Sequence, residues 1–230
     1  MEIFLEDFLP AREVETAENP QFSVIWLHGL GADGSDFVPV VPELALDAAC
    51  GVRFIFPDAP LIPVTCNGGY VMRAWYDIVS LDSSSRQIDE AGIVAARQAV
   101  RALIARENQR GTPSRKIFVA GFSQGGAVAY SSALTHPETL AGVIALSTYL
   151  PSARLLLAEA SAANQETPIF AAHGSADEVV SLGLGWAARD LLIAQHYRLE
   201  WREYPMAHSV CLAEIKAIGQ WLNARMAALN

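Results

Sequence analysis

Cysteine is scarce in this sequence: Cys50, Cys66 and Cys211 are all it holds. An odd number cannot pair completely, and the wide spacing fits neither a CxxC redox pair nor a paired metal site. The three read as buried or incidental thiols of a reducing compartment, with cytoplasm the default location. Positive charge is also short. Sixteen Lys and Arg face 25 Asp and Glu, a formal net charge of −9. That balance argues against nucleic acid as the main partner, because phosphate binding needs clustered cations; an acidic surface also serves solubility alone. Long hydrophobic runs are missing, and no stretch of about 18 or more apolar residues suggests a membrane span. The opening residues, Met1 to Pro10, are acidic and mixed, without the basic and apolar regions of a signal peptide. Internal repeats, low-complexity tracts and an obvious linker are absent as well.

What is present is globular. Hydrophobic residues make up 52% and charged residues 18% of 230, a composition and length that fit one domain over 1–230. Short apolar runs ending at Gly or Pro read as buried strands: 22–28, 52–56, 116–120, 142–146 and 168–172. Residues 198–204 alternate polar and apolar, as a strand nearer a sheet edge does. Helices fall between. Ser84 and Gln87 have capping-box spacing, which predicts a helix running to about Arg106, with Ile88, Ala91, Ala95, Ala99 and Leu103 on its apolar face. A small-residue helix follows Ser123 and stops at Pro137. Residues 181–195 read as a further helix. Leu212, Ile215, Ile218, Leu222 and Met226 form an apolar stripe near the C-terminus. Residues 57–80, with Pro60, Pro63 and a glycine pair, read as loop. Strands alternating with helices predict an α/β fold, a mostly parallel central sheet with helices on both faces. Such sheets place ligands at the carboxyl ends of their strands.

Gly121-Phe-Ser-Gln-Gly125 carries the chemistry. It matches G-x-S-x-G between a strand and a helix, the context of a nucleophile on a sharp turn. The competing interpretation is a glycine-rich turn with a capping serine. A serine hydroxyl needs a base and an orienting carboxylate to act. On an α/β-hydrolase sheet the chain order is Ser, acid, His. His208, in Pro205-Met-Ala-His-Ser209, follows the last strand. Asp177 follows the fifth strand in His173-Gly-Ser-Ala-Asp-Glu178, and the adjacent Glu178 is expected to point elsewhere. His173 is expected to support that loop, His196 to be structural or superficial, and His136 to sit as a cation at a helix end. The glycine-rich string 26–34 follows the first strong strand. It nominates the backbone N–H of Leu30, with that of Gln124, as an oxyanion hole. A phosphate-binding loop fails on spacing.

These strings together resemble the phospholipase/carboxylesterase family of α/β hydrolases, which includes acyl-protein thioesterases and small bacterial carboxylesterases. The likeness rests on LHGLGADGSDF (27–37), FPDAP (56–60), WYD (75–77), GFSQGG (121–126), HGSADEVV (173–180) and YPMAHSV (204–210). Asn67-Gly68-Gly69 before WYD is similar to the bacterial carboxylesterase branch. The N-terminal twenty residues and 152–166 match poorly. The resemblance implies Ser123, Asp177 and His208 as a triad, Leu30 and Gln124 as oxyanion donors, and no metal or organic cofactor. It also implies a nearly lidless acyl groove, of which residues 57–80 are expected to form part, with Trp75 and Tyr76 as candidate walls and core packing as the rival role. Leu150 and 155–157 are equally groove wall or helix core. The expected activity is carboxylic-ester hydrolysis through an acyl-enzyme, on a small-molecule or lipid ester. Thioester cleavage on acylated protein and lysophospholipid hydrolysis use the same machinery. An inactive hydrolase-fold binding protein is the alternative from another class. Apolar surface around the groove would support a homodimer, though the sequence does not locate it.

Overall fold

A computed structural model describes residues 9–81 and 86–230. In chain order it holds β1 (Ala11–Glu15), β2 (Phe22–Leu27), β3 (Val52–Pro57), β4 (Leu61–Val64), β5 (Tyr70–Arg73), β6 (Ile78–Leu81), β7 (Arg86–Ile88), α1 (Glu90–Gln109), β8 (Ile117–Phe122) and α2 (Gln124–Leu134). It continues with β9 (Gly142–Leu146), α3 (Ala153–Glu159), β10 (Ile169–Gly174), α4 (Leu182–Ala194), β11 (Leu199–Tyr204) and α5 (Leu212–Leu229). Seven strands form the main sheet in the order β1-β3-β2-β8-β9-β10-β11. All neighbours run parallel except β1, which pairs antiparallel with β3.

The central strands are apolar throughout because both of their faces are covered. In β2, Ile25 and Leu27 face the core shared with Ile93 and Val100 of α1 and Val128 of α2. Phe22, Val24 and Trp26 face the opposite core, with Ile215, Ile218 and Leu222 of α5. The period of two thus sends alternate residues to two different cores. Among the described residues no helix is long and apolar enough to cross a membrane.

Three expectations change. The capping box does not open α1. Gln87 belongs to β7, whose Ile88 pairs with Ile78 of β6, so its backbone is committed to a ladder. The cap is Asp89, whose carboxylate accepts the Ala91 N–H at 3.0 Å; Ser84 lies outside the described residues. Second, residues 57–80 are not simply loop. β4 and β5 form a hairpin with Gly68 and Gly69 at positive φ near its tip. The Asp77 carboxylate fastens the hairpin by accepting the Thr65 N–H and hydroxyl at 2.7 and 2.5 Å. Third, His136 is not a cation at a helix end: it is buried, and burial lowers its pKa below the usual imidazole value.

Candidate active site

Ser123 stands between β8 and α2 at φ 55°, ψ −120°. A non-glycine residue at positive φ costs about 1–3 kcal/mol and persists only when its surroundings over-determine it. Here they do. Ser123 N–H donates to Leu146 O at 2.9 Å, and its own carbonyl accepts from Ala127 N–H and the Thr148 hydroxyl. The turn is tight enough to demand glycine on both sides. A Cβ on Gly121 would lie 2.2 Å from the Gly125 carbonyl oxygen, and one on Gly125 would lie 2.3 Å from that of Leu27.

The loop after β11 brings His208 to this serine. His208 Nε2 lies 2.9 Å from Ser123 Oγ, and Nδ1 lies 2.7 Å from Asp177 Oδ2. The other carboxylate oxygen accepts the N–H groups of Val179 and Val180 at 2.9 and 2.8 Å. Burial works to raise the Asp177 pKa. The hydrogen bonds from His208 and from those two amides outweigh it and hold the carboxyl below its ordinary range. An ionised carboxylate only accepts, so the His208 proton belongs on Nδ1, leaving the Nε2 lone pair toward the serine hydroxyl. Phe122 packs on the imidazole at 4.7 Å between ring centroids. Glu178 is exposed, turned away from this chain of bonds. His173 sits in β10, fully buried. It donates from Nε2 to Val180 O at 2.8 Å, and burial lowers its pKa. His196 is exposed beyond α4.

Facing Ser123 is a cavity of about 220 Å³, lined by Leu30, Ile78, Phe122, Gln124, Tyr149 and Val180, with Ser123 and His208 on its wall. Leu30 and Gln124 therefore reach the same space. Gln124 is the first residue of α2, where a backbone N–H has no intrahelical acceptor. The loop bearing Leu30 is tied down from beneath. Ala59 N–H donates to His28 Nε2, so the His28 proton sits on Nδ1 and is donated to Gly29 O at 2.7 Å. Burial lowers the His28 pKa, which keeps the ring neutral for both bonds. Asp58 accepts the buried Gly34 N–H at 2.7 Å and meets Arg12 and Arg73.

Trp75 and Tyr76 do not line this cavity. They are buried beneath it, at 3% and 0% exposure. Trp75 donates its indole N–H to His28 O, and the Tyr76 hydroxyl lies 2.7 Å from that of Tyr149. Gln124 spans to the same pair, accepting Trp75 N–H at 2.9 Å and donating to Tyr76 O at 2.7 Å. Their hydrogen bonds hold them in the core, while Ile78 and Tyr149 form the wall. Sequence reasoning singles out neither wall residue, although Ile78 lies in the 57–80 stretch expected at the groove, and it missed Asp58 although it noted the FPDAP string. No periodicity distinguishes a wall side chain from its buried neighbours. Among the described residues no group of three or more His, Cys, Asp or Glu is placed to hold a metal ion.

Comparison with known proteins agrees with this architecture. A curated acyl-protein thioesterase 1 of Neurospora crassa is 43% identical over 89% of this chain and 86% of its own length. Carboxylesterase SOBER1 of Arabidopsis thaliana is 35% identical over 88% of this chain and 90% of its own. Its crystal structure superposes with a TM-score of 0.84 over 89% of this chain and 99% of that one, at 34% identity. The crystal structure of Zea mays acyl-protein thioesterase 2 gives 0.83 at 28% identity, over 95% and 100%. The family model described as phospholipase/carboxylesterase matches residues 10–226, and the chain belongs to that family.

Proposed function

We propose that this serine hydrolase cleaves carboxylic esters with Ser123 as nucleophile, His208 as general base and acid, and Asp177 as the orienting carboxylate. The observation that carries the proposal is the unbroken hydrogen-bonded chain from Asp177 through His208 to Ser123, at the wall of an apolar cavity. Ser123 Oγ attacks the carbonyl carbon while its proton passes to His208 Nε2. The carbonyl oxygen becomes an oxyanion, held by the backbone N–H groups of Leu30 and Gln124. The tetrahedral intermediate collapses, the C–O bond to the leaving alcohol breaks, and His208 returns the proton to that alcohol. Water then attacks the acyl-enzyme by the same relay, and the carboxylic acid departs. Asp177 stabilises the imidazolium at each stage without taking its proton.

Thioester cleavage on acylated protein is the second reading. The Neurospora crassa relative named acyl-protein thioesterase favours it, and the machinery would be unchanged. A series of p-nitrophenyl esters beside a palmitoyl-peptide thioester separates the two by relative kcat/KM. The test of the nucleophile is labelling by a fluorophosphonate probe in wild type and in Ser123→Ala. Wild type is expected to label and turn over, and the variant to do neither while keeping its thermal melt. A wild-type protein that neither labels nor hydrolyses an ester would instead be a binding protein on a hydrolase fold.

A further inference from the structure

Tyr149 lines two hollows. One is the cavity facing Ser123. The other, about 140 Å³, lies between α3 and α4, and every other residue lining it is leucine or alanine, among them Leu150, Leu184, Ala187 and Leu191. Among the described residues no other lines both. The Tyr149 ring is fixed: it is 4% exposed, and its hydroxyl meets that of the fully buried Tyr76 at 2.7 Å.

An acyl chain seated by the Ser123 carbonyl chemistry has to run along apolar walls, and Ile78 and Val180 supply them. Tyr149 stands where that cavity adjoins the second hollow. Beyond it stands a groove whose aliphatic lining has nothing to offer except apolar contact, which suits an alkyl chain and little else. We propose that Tyr149 is the end wall of the acyl subsite and sets the acyl chain length accepted, and that the aliphatic groove between α3 and α4 is the continuation of that subsite which the ring shuts off. The inference rests on the ester-hydrolysis reading above and adds to it the determinant of chain length.

Each methylene buried on the near side should raise kcat/KM about four- to tenfold, and a methylene that meets the ring should raise it no further. The chain-length profile of p-nitrophenyl esters in the wild type therefore has a break. In Tyr149→Leu the ring is gone, the hollows join, and the break moves to longer chains. The first ester beyond the wild-type break gains about fourfold or more over its shorter neighbour. Adding Ala187→Phe to that variant refills the groove and moves the break back. Tyr149→Phe keeps the ring and removes only the hydroxyl, so its break stays. Tyr149→Trp enlarges the wall and shortens the break; it carries the test if Tyr149→Leu does not fold, as read by thermal melt. A folded Tyr149→Leu that hydrolyses short esters with the wild-type break overturns the proposal. So does a wild type without a break, an unmoved break in Tyr149→Trp, or a moved one in Tyr149→Phe. A wild type that hydrolyses no ester of any length overturns the functional reading itself, which is a different result.

Discussion

Two buried acids lie close together in the chain order of the last elements, and they behave in opposite ways. Asp177, in the loop after β10, is fully buried at its side chain and accepts from His208 and two backbone amides. Its pKa falls. Glu214, in the first turn of α5 just past His208, is also fully buried, and neither carboxylate oxygen has a hydrogen-bond partner among the described residues. Burial pushes its pKa up to about 8; the nearby Cys211 N–H opposes this without reaching bonding geometry. Burial acts the same way on both carboxyls. Partners decide the sign. Asp177 is built to be an anion at neutral pH, and Glu214 is held as a neutral acid.

The largest test of this contrast removes the charge from the paired acid. Asp177→Asn should lower kcat by about 10⁴-fold, because the amide can donate to Nδ1 and so favours the wrong imidazole tautomer. A folded variant within tenfold of wild type would break the contrast at its paired end. The unpaired acid is tested by stability rather than rate. A carboxyl whose folded pKa is raised contributes stability that is whole below its unfolded pKa of 4.5 and lost as pH rises through about 8. Between pH 5 and pH 8 the loss should be on the order of 3 kcal/mol. Glu214→Gln removes that titration, so the wild-type denaturant midpoint should fall relative to that of the variant over this window, on top of the rise that the buried His28, His136 and His173 give to both. Parallel curves would show that Glu214 is not neutral in the fold. Asp177 tilts stability the other way, since a lowered carboxyl loses its contribution as pH falls.

Asp58 offers a smaller, intermediate case. Asp58→Ala leaves the buried Gly34 N–H without its acceptor, costing about 1–3 kcal/mol of stability and loosening the loop that bears Leu30. Asp58→Asn retains an acceptor for that N–H. It should recover most of the stability and kcat, with KM little changed throughout. Equal losses in the two variants would place the function of Asp58 in its charge, toward Arg12 and Arg73, rather than in the hydrogen bond.

Much of this was legible beforehand for a physical reason. Strands buried on two faces must be apolar throughout, so β2, β8, β9 and β10 announce themselves. Residues 121–125, 173–178 and 205–209 each follow such a strand, and the fold brings Ser123, Asp177 and His208 together as that order implies. β1 was invisible because Ala-Arg-Glu-Val-Glu is an exposed edge strand, whose glutamates Glu13 and Glu15 pair with Arg106, Arg110 and Arg53 instead of a core. The start of α1 was misplaced because Ser84 and Gln87 carry capping spacing by composition, while Asp89 does the capping. The sequence leaves Trp75 and Tyr76 open between wall and core because Trp75 and Ile78 differ in tertiary position and not in any sequence pattern.

The Gln124 side chain has a consequence for how far a change at the site spreads. Its amide holds the backbone of Trp75 and Tyr76, so the floor below the cavity is riveted to the residue beside the nucleophile. The walls are held differently: Tyr149 reaches that floor through the Tyr76 hydroxyl, and Ile78 pairs with Ile88 of β7. A change at Gln124 therefore acts on the floor and the turn of the nucleophile together, whereas a change at Ile78 acts on the wall.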